Sequence, residues 1–297
     1  MLLMIAGCQK VKDTEEPSPL PEKQTEVVAE NSNRDKETLP LEVQEESSLI
    51  IEDGTNVLER YAPPLGFTRK DEEVGSFGEF LREQKLKPYG EKALYYNGRE
   101  KNSRGVYDSV FEVDIGDRDL HQCADAIMLL RAEYLYAKER YDEINFGFVS
   151  GFTAEYKKWM EGYRIKVDGN QVNYYKSTEP SNSYDTFRKY MTMVMAYAST
   201  LSMEKELESI TIENMGIGDI FIVGGNPGHA IIVVDMALND EGEKVFMLAQ
   251  SYMPAQQTQI LINPIDNKKS PWYSLKGKKR LITPEWNFDL NTLKRFP

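Results

Sequence analysis

The chain has 297 residues, 40% of them hydrophobic and 11% aromatic, enough for one large domain of about 230 residues or two small ones. Its formal net charge of -12 argues against nucleic acid or an anionic membrane surface as the main partner, because both need a basic footprint. Two cysteines and two histidines make no disulfide scaffold, and their spacing fits no zinc pattern, so neither a metal nor a cofactor is expected.

Residues 1–8 read Met-Leu-Leu-Met-Ile-Ala-Gly-Cys, an apolar run too short to span a bilayer. Ending in Ile-Ala-Gly-Cys, the run resembles a bacterial lipobox, which makes Cys8 the expected site of lipidation. The implied location is the cell envelope, periplasmic or at the outer-membrane surface, with membrane contact through the lipid anchor only. From Gln9 to Ser48 the chain is rich in Glu, Lys, Pro, Ser, Thr and Asn and lacks apolar periodicity. It cannot bury enough apolar surface to offset its ordering entropy, so a disordered acidic tether is expected. Fully extended, about 40 residues reach on the order of 130 Å.

Globular signals begin at Leu49. Tyr61 to Phe67, with two adjacent prolines, reads as a rigid turn, and Ser76 opens a short helix. Ala93 to Gly98 reads as a strand running into an Asn-Gly turn. Val106 to Ile115 alternates in period two, as a half-buried strand does, and Gly116 and Asp117 break it.

A helix is predicted from about Leu120 to Arg140, with Asp117 and Asp119 as candidate caps. Cys123, Ile127, Leu130 and Tyr134 share its core-facing stripe. A thiol in a first helical turn lies beside unpaired N–H groups and the positive end of the dipole, which favours thiolate. The stretch alone serves a buried structural cysteine equally well. Beyond it, the pattern predicts a strand over 144–152, a short helix over 153–160, and a hairpin over 165–175 turning at Asp168-Gly169. Ser183 is read as the cap of a long helix to about Met203.

The stretch 216–235 carries the second chemical signal. Asp219 to Val223 reads as a strand, Gly224 to Gly228 as a loop, and His229 to Met236 as a continuous apolar strand. A turn at Asn239 to Gly242 leads into a third strand, Lys244 to Ser251. If Ala237 pairs with Lys244, then His229 lies opposite Tyr252 and diagonal to Gln250, which can accept from a ring nitrogen. A slip of one residue would bring Ser251 there instead. The tail adds aromatics, at 270–274 and 282–288, without obvious chemistry.

With Cys8 lipidated, Cys123 is the remaining thiol. A nucleophilic cysteine needs a base and an acceptor that holds the base in the right tautomer; His229 and Gln250 fit by position. His121 competes as base, but at the helix start it points away from Cys123 and reads as a surface or capping histidine. Asp235 lies ~20 Å along the strand from His229 at ~3.3 Å per residue, too far to orient it. The Cys123 N–H and one side-chain donor, Gln122 or Tyr107, are the oxyanion candidates.

The Gly-Asp strand, the loop and the Gly-His strand resemble the second half of NlpC-type cell-wall cysteine peptidases and their papain-clan relatives. The order of cysteine, histidine and a polar third residue is the same here. The usual Asp-Cys-Ser-Gly box is replaced by His121-Gln-Cys-Ala124, and the cysteine-to-histidine separation is longer. More closely, residues 119–126, 129–135 and 248–255 resemble an uncharacterised bacterial lipoprotein family, the domain of unknown function numbered forty-eight forty-six. Together the resemblances imply an α+β fold over residues 49–297, with a papain/NlpC-like core, the cysteine-bearing helix packed on an antiparallel sheet, and helical insertions. They imply a cell-envelope thiol hydrolase of amidase or endopeptidase type, with peptidoglycan peptides as the expected partner. The rivals are a catalytically silent envelope-binding lipoprotein of the same fold and a thiol acyltransferase.

Overall fold

A computed structural model describes residues 48–102 and 105–297. The lipidation expected at Cys8, and all but the last residue of the expected tether, lie outside the described residues. The chain opens with α1 (Val57–Arg60), whose Asn56 cap accepts from the Glu59 N–H, and β1 (Thr68–Arg69). In α2 (Phe77–Arg82) the Ser76 side chain caps the Glu79 N–H, as its position before an apolar stretch predicts. β2 (Tyr107–Val110) and α3 (Cys123–Ala137) follow.

The segment after α3 is mixed rather than helical. It holds a hairpin of β3 (Asn145–Gly147) and β4 (Thr153–Glu155), then α4 (Tyr156–Met160). A second hairpin, β5 (Tyr163–Asp168) and β6 (Gln171–Lys176), turns at the predicted Asp168-Gly169. The single strand expected over 144–152 is therefore half of a hairpin, because Gly151 takes a φ of +87° and reverses the chain. The long helix expected from Ser183 is two: α5 (Tyr184–Tyr197) and α6 (Thr200–Glu206). Ala198 leaves helical geometry at ψ 168°, and the Ser199 side chain caps the second helix at the Leu201 N–H.

The remaining strands are β7 (Glu208–Ser209), β8 (Ile220–Val223), β9 (His229–Leu238), β10 (Lys244–Gln250), β11 (Gln259–Leu261), β12 (Arg280–Ile282), β13 (Asn287–Asp289) and β14 (Leu293–Arg295). The main sheet runs β2-β11-β10-β9-β8-β14-β7, with β1 also paired to β9, and its pairings are antiparallel. The fold is α+β.

Both faces of the sheet are covered, which is why β9 reads as a continuous apolar run instead of alternating. Ala230, Ile232 and Val234 join Ile127, Leu130 and Tyr134 of α3 in one core. Ile231 and Val233 face the other way, into a second core with Phe246, Leu248, Leu281 and Phe288. Each fully buried Ile or Val contributes about 1.5–3 kcal/mol, so this strand is the anchor of both layers. α3 is buried on nearly all sides, as a helix wedged between a sheet and an insert must be.

Candidate active site

α3 begins at Cys123 itself, three residues later than predicted, and its cap is Gln122 rather than Asp117 or Asp119. Asp125 reaches back to accept from the Gln122 N–H at 3.1 Å, so the helix start is closed by its own third residue. Asp119 instead accepts from Gln122 Nε2 at 3.1 Å and from the Ala255 N–H at 2.7 Å, tying the helix entry to the turn after β10. Cys123 is 7% exposed. Its surroundings pull two ways. Burial pushes the thiol up to about 11, against the N–H groups of Ala230, Ala124 and Cys123 itself, which favour thiolate.

His229 stands at the head of β9, where the β8–β9 loop delivers it opposite Val223. The loop is glycine-dependent for a steric reason: a Cβ on Gly228 would lie 2.5 Å from Thr200 Oγ1 and 2.6 Å from the Gly225 carbonyl oxygen. At the other end of the hairpin, Lys244 pairs with Leu238, one residue off the expected register. A bulge between Met247 and Leu248 restores it, so that Leu248 meets Val233 and Ala249 meets Ile232. Past the bulge the expected geometry holds. The His229 ring meets Tyr252 edge-on at 4.8 Å, and its Nε2 lies 2.8 Å from Gln250 Oε1.

The C-terminal aromatics, assigned no chemistry from sequence, form a wall of this site. Trp286 and Phe288 lie 5.6 and 5.9 Å from the His229 ring. Glu285 accepts from Gln250 Nε2 at 2.6 Å and from Lys101 Nζ at 2.9 Å. Lys101 also donates to Gln259 Oε1 at 3.2 Å and is buried. Neither residue was singled out from sequence. They are 184 residues apart, and each alone is an ordinary charged residue in an unpatterned stretch. Burial, and secondarily the Lys101 charge, lowers the His229 imidazole to about 4, while the Gln250 bond opposes that shift. Imidazole and thiol are both neutral near pH 7, and among the described residues no hydrogen bond joins the sulfur to the ring. Tyr252 stands beside both: it packs on the ring, and its hydroxyl lies within electrostatic range of Cys123.

The two oxyanion candidates fall in different places. Gln122 adjoins Cys123, with its amide N–H engaged by Asp119. Tyr107 lies on β2, three strand spacings from β9, or ~14 Å by the usual strand separation. Its hydroxyl accepts from the Ala93 N–H at 3.0 Å, and its ring lies 6.0 Å from Lys101 Nζ.

His121 is not a surface residue. It is 1% exposed, its Nε2 lies 3.0 Å from Thr258 Oγ1, and Ser251 Oγ donates to its backbone oxygen at 2.8 Å. The turn preceding α3 folds it inward, and burial pushes its imidazole down to about 3. Asp235 accepts from Arg69 at 2.6 Å and Arg82 at 2.7 Å, a buried structural ion group away from the histidine.

These elements occupy a continuous stretch that a family model also recognises. The chain belongs to the family described as domain of unknown function (4846). The matched region, residues 57–295, runs from α1 to β14 and contains Cys123, His229, Gln250, Lys101 and Glu285. No curated protein and no solved structure is significantly similar to the chain. Among the described residues, no helix is long and apolar enough to cross a membrane, and no cluster of three His, Cys, Asp or Glu side chains is arranged to hold a metal ion.

Proposed function

We propose that the protein is a thiol hydrolase of amidase or endopeptidase type that acts on peptidoglycan peptides in the cell envelope. Cys123 is the nucleophile, His229 the base and Gln250 its orienter. The observation that carries this reading is the 2.8 Å contact between His229 Nε2 and Gln250 Oε1. It occurs on a strand whose next residue, Ala230, turns its N–H toward the Cys123 sulfur. With Nε2–H donated to Gln250, Nδ1 keeps the lone pair that can take the thiol proton. The thiolate then attacks the amide carbon. The Cys123 N–H and a second donor receive the oxyanion, the amine leaves with the proton, and water releases the acyl group.

The order of the three residues, and the packing of α3 against the β8–β9–β10 sheet, support a papain/NlpC-like core. The apolar run ending at Cys8 supports a lipid anchor. Incubation of the protein with muropeptides, with products followed by mass spectrometry, tests the reading. Cleavage by the native chain and none by Cys123→Ala is the expected result; equal products from both would discard it.

Burial favours a second reading, a catalytically silent envelope-binding protein. Cys123 is 7% and His229 1% exposed, and the thiol is pushed up to about 11. Iodoacetamide labelling at graded pH separates the two, because an activated thiol reacts well below its ordinary value of roughly 8.5.

A further inference from the structure

The polar chain behind His229 has a direction that its chemistry makes unambiguous. A lysine ammonium only donates, and Lys101 Nζ lies 2.9 Å from Glu285 Oε2 and 3.2 Å from Gln259 Oε1. Gln259 shows that oxygen because its Nε2 is committed elsewhere, to Gln256 Oε1 and the Gln257 backbone oxygen, both at 2.8 Å. An ionised carboxylate only accepts, so Glu285 requires the amide nitrogen of Gln250 on its side, 2.6 Å away. The Gln250 oxygen is thereby turned to His229, 2.8 Å from Nε2, where it needs a proton to accept. The ring must carry hydrogen on Nε2 and a lone pair on Nδ1.

We propose that Glu285, charge-balanced by the buried Lys101, is a positioning residue that sets the tautomer of His229 through Gln250. This rests on the reading of His229 as the base. A glutamine alone cannot do the task, since rotating its amide by half a turn exchanges donor for acceptor and allows either imidazole tautomer. The carboxylate removes that freedom. Lys101 donates to the carboxylate, and its opposite charge spares the site a net negative field. Placing the acid behind a neutral amide also explains why the imidazole is steered without being held as imidazolium: the bond to His229 comes from a dipole, not from a charge.

The chain has two histidines, so ring-nitrogen NMR of the full-length protein reads this directly, with His121→Asn separating the signals. Native His229 is expected to show a protonated Nε2 and a bare Nδ1. Glu285→Asp, which keeps an acceptor-only group, is expected to preserve that pattern. The double variant Lys101→Met/Glu285→Leu removes both charges together and leaves no buried ion unpaired; it is expected to show a mixture with the Nδ1–H form. Lys101→Met/Glu285→Gln is the second variant if the first double one fails to fold: with no ammonium to fix the new amide, either of its ends can face Gln250, so the single tautomer should also be lost. A purely structural Glu285 would lower the melting temperature and leave the ring signals as they are. A native ring protonated on Nδ1, or folded variants with the native pattern, overturns the proposal.

Hydrolysis separates this inference from the proposed function. If the native chain cleaves muropeptides, the variants that release the tautomer should lose at least about tenfold in kcat with KM little changed. Tautomer control in a chain without hydrolysis would sink the hydrolase reading alone. Hydrolysis with no tautomer response would sink the positioning role alone.

Discussion

Gln250 and Glu285 hold the His229 ring through contacts of 2.8 and 2.6 Å, whereas Cys123 is held mainly by burial. Directional bonds between groups of fixed polarity specify an orientation. Apolar packing specifies only a position, and it penalises charge. The histidine side of the candidate site is thus built, in hydrogen-bonding terms, for one protonation pattern. The thiol side is built to keep the sulfur neutral, and a charged Asp125 would add to the effect; one of its oxygens has no partner among the described residues, and burial pushes its carboxyl up to about 8. Two halves of one candidate site can therefore be prepared to very different degrees.

The largest effect that would break this contrast is on turnover. Cys123→Ala and His229→Ala are each expected to reduce muropeptide hydrolysis by roughly 10³-fold or more; a variant close to native activity would remove that residue from the couple. Next in size is stability on the base side. Lys101→Met leaves Glu285 without its counter-ion in a site where the two side chains are 3% and 20% exposed. It should cost about 3 kcal/mol in a denaturant melt, and a loss below about 0.5 kcal/mol would show that the pair contributes no more than a surface contact.

Asp125 sharpens the thiol side. Its folded value of about 8 lies above its ordinary 3.8, so the neutral acid contributes stability at low pH that is lost as pH rises toward 8. Relative to the native chain, Asp125→Asn should gain stability between pH 4 and pH 8, on the order of a few kcal/mol, read as melting temperature against pH. A constant difference across that window would place the carboxyl in solvent. The smallest effect is on alkylation. Burial and the neighbouring Asp125 charge both raise the Cys123 thiol, so Asp125→Asn should displace the labelling midpoint to slightly lower pH. A native midpoint below about 8.5 would mean an activated thiol and would erase the contrast.

Local patterning carried much of the fold. Ser76 and Ser183 cap the helices they precede, Asp168-Gly169 turns its hairpin, and the apolar run after His229 is a doubly buried strand. These depend on propensities and periods that act over a few residues. The pairing of His229 with Gln250 was legible for the same reason, since hairpin register follows from turn length, although a bulge at Met247 had to correct the count. The burial of His121 was not legible. Its fate is set by Thr258 and Ser251, more than 120 residues away.

Cys123 and His229 mark the same contrast at the level of the whole chain. Sequence alone determined that a thiol opens a helix and that a histidine opens a strand, because caps, glycines and hydrophobic periods are written locally. Only the tertiary structure decided what surrounds them. It brought Lys101 and Glu285 together behind Gln250, laid Trp286 and Phe288 over the imidazole, and buried the thiol. Desolvation and hydrogen-bond direction depend on which distant groups pack together, and no short stretch of sequence contains that information.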